Sequence, residues 1–141
     1  MLLRDGEDYL ELTPTPDPEA GGIRAEVRIR VRGMNTLFTA ETSCWIDSRA
    51  MAEFADQLRV LEKRRKGVAA LKSMSPGELL LEIRSTDRSG HMAAFGQVGH
   101  WFCSQPGNPY WSAVVFSIPF CPSELEALVG EFAALAFNPT A

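Results

Sequence analysis

The hydrophobic positions between residues 46 and 67 recur at intervals of three and four. This spacing gathers them on one stripe of a helix and leaves the charged residues on the other sides. Asp47 is a favourable N-cap and Gly67 a favourable left-handed stop, so the pattern predicts a helix over residues 47–66. The hydrophobic stripe consists of Met51, Phe54, Ala55, Leu58 and Leu61.

A second pattern is the strict alternation of residues 23–32, with hydrophobic side chains at odd positions and charged side chains at even ones. Such alternation is typical of a strand with one buried and one solvated face. Residues 37–46 alternate as well, and a reversal at residues 33–36 would pair the two strands with their hydrophobic faces superimposed. The predicted register sets Val31 opposite Phe38, Ile29 opposite Ala40, Ala25 opposite Cys44, Arg28 opposite Glu41, and Arg24 opposite Trp45.

Shorter patterns predict the remaining strands. Asp5-Gly6 is a favoured turn pair, and the alternation after it indicates a hairpin over residues 1–13. Ser75-Pro76-Gly77 is typical of a type II turn. The other predicted strands cover residues 68–74, 79–83, 91–100 and 110–120.

Proline and glycine mark the predicted loops and the second helix. Residues 13–22 and 102–109 are rich in both and predict irregular connections. Residues 122–137 repeat hydrophobic side chains at helical spacing, and Asn138-Pro139 predicts the end of that helix. Gly130 inside it should cost about 1 kcal/mol relative to alanine unless it permits close packing. The stripe consists of Leu125, Leu128, Val129, Phe132, Leu135 and Ala136.

Together these elements predict one α+β domain over residues 1–141. We expect a largely antiparallel sheet of six to eight strands, with the helices near residues 47–66 and 122–137 packed on one face. A chain of 141 residues buries roughly two thirds of the surface that its unfolded form exposes, so folding requires neither a metal nor a disulfide.

Composition narrows the classes of function. Hydrophobic residues make up 45% and charged residues 23% of the chain, and the net charge of -4 gives no general attraction to nucleic acid or anionic membranes. The N-terminus lacks a signal-peptide core, and no stretch approaches the ~20 apolar residues of a membrane span, so we expect a cytoplasmic protein. Three irregularly spaced cysteines suit reduced thiols, and no motif for a cofactor is present.

The candidate reactive residues are His91, His100, Cys103 and Cys121. The two histidines leave opposite faces of a regular strand and no Cys-x-x-Cys pair occurs, so the spacing argues against a metal site. Cys121 precedes a predicted helix, whose N-terminus would favour a thiolate, and a histidine would be its base. A small enzyme or ligand-binding protein using these four residues is therefore an alternative, although no catalytic residue is predicted.

The candidate interaction surface is the outer face of the first long hairpin. It carries Arg24, Arg28, Arg30, Arg32 and Trp45, residue types that are enriched at the energetic centres of protein interfaces. This set, the arginine strip, is our predicted partner-binding site. The other interpretation is the solvated side of an amphipathic strand. Binding of RNA would use the same strip, but no RNP-type motif accompanies it.

A third interpretation is a structural homodimer. Trp111, Ala113 and Val115 alternate along the last predicted strand and would share its outer face. A second copy of the chain would cover these hydrophobic side chains.

Five short segments, taken in their order along the chain, carry a resemblance to a known family. They are Tyr9-Leu10-Glu11-Leu12, Trp45-Ile46-Asp47, Ser75-Pro76-Gly77-Glu78-Leu79, Gly90-His91 and Pro122-Ser123-Glu124-Leu125. With this order of elements, the chain resembles small bacterial immunity proteins of the WapI type, which neutralise a cognate contact-dependent toxin. The resemblance spans nearly the whole chain, but this chain differs by its extended stretch from Trp101 to Pro109. It implies binding rather than catalysis and transfers no catalytic residue.

Overall fold

A computed structural model describes residues 1–17, 19–105 and 108–137, with only the backbone for 102–105, 108, 109, 136 and 137. The first half of the chain folds into β1 (Leu2–Asp5), β2 (Asp8–Asp17), β3 (Gly22–Arg32), β4 (Leu37–Asp47) and α1 (Ser48–Arg64). The second half folds into β5 (Val68–Lys72), β6 (Leu79–Ser85), β7 (Met92–Gln105), β8 (Asn108–Phe120) and α2 (Glu124–Phe137).

Each half contributes one sheet in which every strand pairs antiparallel with its sequence neighbours. Sheet A has the order β1-β2-β3-β4 and sheet B the order β5-β6-β7-β8. The α+β class and the antiparallel pairing of eight strands confirm the prediction. The strands are divided between two sheets, however, whereas we expected a single one.

The β3–β4 hairpin confirms the predicted register. Val31 lies opposite Phe38, Ala25 opposite Cys44, and Arg28 opposite Glu41. The Gly33 amide donates to the Thr36 carbonyl at 2.7 Å and closes the turn. A slip by one residue would turn the hydrophobic side chains of β3 to solvent, and this difference makes the register readable from the sequence.

The prediction of an irregular connection over residues 13–22 was wrong. β2 continues to Asp17 and pairs with β3 as far as Gly22. The Leu12 amide donates to the Met1 carbonyl and therefore points away from β3. Because backbone groups alternate in direction along a strand, every second residue after Leu12 also directs its nitrogen away from β3. Pro14 and Pro16 occupy these positions, which lie beyond the part of β2 that pairs with β1, and no described strand pairs with them on that side. Pro18, within the same prediction, lies outside the described residues.

The prediction of a loop over residues 102–109 was also wrong. β7 continues to Gln105 and β8 begins at Asn108, with a register shift between Cys103 and Gln105. β8 is the last strand in the order of sheet B, and prolines are tolerated in such strands. Proline content therefore misled the prediction here as it did in β2. Pro106 and Gly107 lie outside the described residues.

Helix α1 confirms its predicted cap and stripe. The Asp47 carboxylate accepts hydrogen bonds from the amides of Arg49 and Ala50 at 2.8 and 3.3 Å. The helix ends earlier than predicted, because Arg65 already adopts the left-handed conformation, with φ 53°, two residues before Gly67, whose φ of 103° is positive as well. The Arg65 guanidinium donates to the Pro122 carbonyl at 3.2 Å, a contact that holds this residue against the start of α2. All five residues of the predicted stripe are buried: Met51, Phe54, Ala55, Leu58 and Leu61.

The core joins both sheets and both helices in one cluster of buried side chains. Phe54 of α1 meets Phe132 of α2 edge to face, with ring centroids 5.0 Å apart. Of the predicted stripe of α2, Leu125, Leu128 and Phe132 are buried, whereas the Ala136 side chain lies outside the described part. Asn138-Pro139, the predicted end of this helix, lies outside it too. Neither described helix is long and apolar enough to cross a membrane.

Candidate protein-binding surfaces

The arginine strip lies on the outer face of sheet A, as its alternation predicts. Its four arginines project from β3, and Trp45 projects from β4 opposite Arg24. Each arginine side chain is partly or largely exposed. The structure therefore gathers all five predicted residues on one surface.

Ion pairs within the chain engage all four arginines of the arginine strip. The ion pairs are Arg24 with Glu26 at 3.6 Å, Arg28 with Glu41 at 3.2 Å, and Arg30 and Arg32 with Glu7 at 3.4 and 3.5 Å. Attraction by Glu41, together with its hydrogen bond, raises the pKa of Arg28. Exposed ion pairs contribute little to stability, but these three glutamates offset most of the positive charge of the four arginines. The predicted register placed Arg28 opposite Glu41, but the sequence did not indicate the pairs with Glu7, because Glu7 is remote from β3 in the chain.

A second exposed surface, the aromatic face, lies on the outer side of sheet B and consists of Trp101, Trp111, Ala113 and Val115. Trp101 and Trp111 lie opposite each other in β7 and β8, with ring centroids 5.0 Å apart. The exposed fraction is 51% for Trp101, 36% for Trp111 and 77% for Val115. Isolated exposed hydrophobic residues are common, whereas a contiguous group of large ones is characteristic of an interaction surface.

Two glycines hold the ring of Trp111 in place. A Cβ atom on Gly99 would overlap the indole, and one on Gly77 would lie 2.9 Å from its Cη2 atom. Gly77 has φ +79°, the left-handed value that the predicted type II turn requires at this position. The Gln97 side-chain amide donates to the Gly77 carbonyl at 3.2 Å and fixes this turn beneath the ring. Trp111 is therefore an exposed aromatic residue with restricted motion.

The structure does not bring the four candidate reactive residues together. His91 precedes β7 and binds the Asp87 carboxylate, which lowers the pKa of Asp87. His100 lies eight residues beyond Met92 on β7, or roughly 25 Å along an extended strand. The Cys103 side chain lies outside the described residues. In the described part of the chain, no group of three or more histidine, cysteine or acidic residues is arranged to hold a metal ion.

The two described thiols occupy opposite environments. The Cys121 Sγ atom lies 3.0 Å from the Ser123 hydroxyl, a hydrogen bond that lowers the pKa of Cys121. Cys44 is buried in the core, and burial raises its pKa to about 11. The accessible thiol thus contacts a serine, whereas a catalytic thiolate requires an ordered base.

A cleft that the sequence did not predict separates β4 from the β7–β8 hairpin. It has a volume of about 210 Å³ and is lined by Thr39–Thr42, Val98–His100 and Ser112–Val114. Phe38, next to the cleft on β4, is half exposed although it continues the hydrophobic alternation. Alternation predicted which side Phe38 faces, but not that the core ends before reaching it.

Comparison with known proteins assigns no family to this chain. No family model, curated protein or solved structure matches it. The resemblance to WapI-type immunity proteins therefore stays a hypothesis, and the function must be inferred from the geometry of the surfaces described above.

Proposed function

We propose that this chain is a non-catalytic protein-binding domain, and specifically a bacterial immunity protein that occludes the active surface of a toxin domain in the cytoplasm. The helices are proposed to cover the inner side of the sheets and leave the outer faces free for association. The aromatic face is the proposed centre of the contact. The observation that carries this proposal is the pair of exposed tryptophans, one of which is seated on glycines.

Trp111 suits a binding surface because its ring is large and its motion is restricted. An aromatic side chain buries 150–250 Å² when it is covered, and tryptophan is strongly enriched among the residues that dominate binding energy. A side chain that is already immobile loses little entropy on association, so more of its burial is retained as affinity. Trp111 combines a large ring with a seat formed by Gly77 and Gly99.

The arginine strip is the second part of the proposed contact. Arg24, Arg28, Arg30, Arg32 and Trp45 would face acidic groups of the partner, with each arginine exchanging its internal carboxylate for one across the interface. Complementary charges of this kind raise the association rate more than the affinity. We therefore assign a steering role to the strip and most of the binding energy to the aromatic face.

The test is rescue of growth. The product of the gene next to the one encoding this chain is expressed alone and together with the chain, and growth is measured. We expect the wild-type chain to restore growth, the Trp111→Ser and Val115→Ser variants to fail, and Val68→Ser to succeed. Val68 is a matched control because it is also an exposed hydrophobic residue of sheet B, on β5.

Each variant is first compared with wild type by circular dichroism, so that a folding defect is recognised. Equal rescue by Trp111→Ser and wild type would contradict the proposed contact. Absence of toxicity from the neighbouring gene product would contradict the immunity role.

The alternative occupant of the aromatic face is a second copy of the chain. The exposure of Ala113 and Val115 beside Trp111 favours this candidate too. Sedimentation of the wild-type protein distinguishes the two: a dimer that Val115→Ser converts to a monomer would assign the face to self-association. The small-enzyme alternative built on Cys103, Cys121, His91 and His100 lacks this kind of support, because the structure separates His91 from His100.

A further inference from the structure

The outer edge of β4 presents unpaired backbone groups. The Gly33–Thr36 hydrogen bond fixes the alternation along the hairpin, so that Leu37, Thr39, Glu41 and Ser43 direct their N–H and C=O groups away from β3. Trp45 has the same parity, and its carbonyl indeed accepts a hydrogen bond from Met74 outside the sheet, at 2.7 Å. Within the described part of the chain, the outward backbone groups of residues 37–43 have no hydrogen-bond partner.

Two other edges of the sheets, those formed by β1 with the end of β2 and by β5, are protected. β1 has only four residues, and the part of β2 beyond it carries Pro14 and Pro16. On β5, the outward amide of Ala70 donates to the Gln57 side chain of α1 at 2.8 Å. Short edges, prolines and covering elements are the usual means of preventing further strand pairing. Residues 37–43 of β4 contain no proline and no lysine.

We propose that residues 37–43 of β4 bind an extended peptide segment of a partner protein, which joins sheet A as a fifth strand. Thr39 and Glu41 would each contribute an N–H donor and a C=O acceptor to the added strand. Main-chain hydrogen bonds supply affinity in this mode of recognition, and pockets for alternate side chains supply specificity. The cleft borders the aromatic face at Ala113, but the backbone groups that bind the peptide lie on β4, and the proposal does not rest on the proposed function.

The cleft beside β4 indicates which side chain the peptide carries. Its volume is about 210 Å³, and an apolar cavity of about 150 Å³ is sufficient for benzene. A leucine or phenylalanine of the peptide would fit the cleft and at the same time cover Phe38, which is half exposed. Hydrophobic surface that the core leaves uncovered would thus be buried by the added strand.

The neighbouring recess indicates the charge of the peptide. It has a volume of about 340 Å³ and is lined by Glu26, Glu41, Thr42, Ser43 and His100. The Glu26 and Glu41 side chains remain 50% and 65% exposed despite their pairing with arginines. Carboxylates with free acceptor positions attract a lysine or arginine. The predicted ligand is therefore an extended peptide in which a basic residue lies near a large apolar one.

The experiment selects random ten-residue peptides displayed on phage against the immobilised full chain. The best peptide is then synthesised and titrated against wild type, Thr39→Pro and Thr39→Val. Proline at Thr39 removes an N–H group that β3 does not use, so the fold should tolerate it, whereas valine retains this group. We expect the affinity to fall roughly tenfold for Thr39→Pro and to fall much less for Thr39→Val, which keeps the N–H group and changes only the side chain that lines the cleft.

Three further measurements make the result specific. Slowed hydrogen exchange at the Thr39 and Glu41 amides on addition of the peptide would support pairing along β4. Methylation of alternate peptide nitrogens should abolish binding to wild type, and this measurement is independent of how Thr39→Pro folds. Val115→Ser should bind the peptide normally, which distinguishes this site from the aromatic face.

The proposal would be overturned by a peptide that binds Thr39→Pro as tightly as wild type, or by a failure to enrich any peptide. It would also be overturned if the Thr39 and Glu41 amides were already protected in a dimer of the protein alone, because a second copy would then occupy the edge.

Discussion

The two halves of the molecule have the same order of elements, four antiparallel strands followed by a helix. The residues on the outer faces of their sheets differ in chemical character. The outer face of sheet A carries charged residues, whereas that of sheet B exposes tryptophan, alanine and valine on β7 and β8. Both alternate with the same period of two. The comparison shows that the period identifies a strand and its buried side, while the chemistry of the outward residues decides what the strand can bind.

The two outer faces also differ in whether their side chains have interaction partners within the chain. Arg28 and Glu41 lie opposite each other and form an ion pair, so the register that buries the core of sheet A also neutralises its surface. In the part of the chain that the structure describes, no side chain covers Val115, which is 77% exposed. A charged face that balances itself can remain in water, whereas a contiguous hydrophobic face gains free energy from a partner.

The largest effect is expected for Gly96→Ala in sheet B. A Cβ atom at this position would overlap the Leu80 carbonyl, which is backbone and cannot move aside as a side chain would. We expect destabilisation by about 3 kcal/mol, at the upper end of overpacking effects. Urea unfolding measures it, with Gly33→Ala as the control because the nearest atom there lies 3.6 Å away. Equal unfolding midpoints for the two variants would contradict this account.

Sheet A is expected to respond in the opposite direction to Thr42→Val. Thr42 is only 8% exposed, and its Oγ1 atom has no hydrogen-bond partner among the described residues. Valine has nearly the same shape and removes the unsatisfied hydroxyl, so the free energy of unfolding should rise by about 1–2 kcal/mol. Thr39→Val, at an exposed position of the same strand, should change it by less than about 0.5 kcal/mol. A lower unfolding temperature for Thr42→Val would indicate that the hydroxyl is satisfied in solution.

The stability of helix α2 is tested by Gly130→Ala. Apart from its chain neighbours and the helix's own backbone, no described residue has an atom within 4 Å of a Cβ placed at Gly130, so close packing does not require this glycine. Alanine should raise the free energy of unfolding by about 1 kcal/mol. Ala127→Gly in the same helix should lower it by a similar amount, which provides a matched control. If both variants unfold like wild type, the helix contributes less to the cooperative unit than α1.

The charge balance of sheet A is tested by Arg28→Gln and Glu41→Gln, singly and together. The pair is exposed, so we expect little change in thermal unfolding at physiological salt and a detectable coupling only at low ionic strength. A coupling that persists at high salt would mean that the pair is shielded and contributes more to sheet A than its exposure indicates.

The smallest effect is expected in the turn between β6 and β7. The hydrogen bond from His91 holds the pKa of Asp87 below its usual value. A carboxylate whose pKa is lowered by folding stabilises the protein above its unfolded pKa of about 3.9 and loses this contribution as the pH falls through the folded value. Wild type should therefore lose slightly more stability than Asp87→Asn below about pH 4. Identical acid unfolding curves would show that the turn makes no net contribution.

Local periodicity in the sequence determined the elements and the partners of adjacent ones. The Asp47 cap, the stripe of α1, the register of β3 with β4 and the turn at Gly77 all depend on residues close together in the chain. The same reasoning placed the arginine strip on one face. Burial of one side of an element imposes a pattern that can be read without knowing what covers it.

Only the tertiary structure decided which strands lie at an edge and what lies across from each face. Pro14 and Pro16 are compatible with β2 because β1 ends beside them. The seat of Trp111 combines Gly77 and Gly99 from other strands and turns, and Glu7 reaches the arginine strip from the first hairpin. These contacts join residues that are distant in the chain, so the local periodicity of the sequence does not indicate them. The division into two sheets and the open edge of β4 follow from the same long-range pairing.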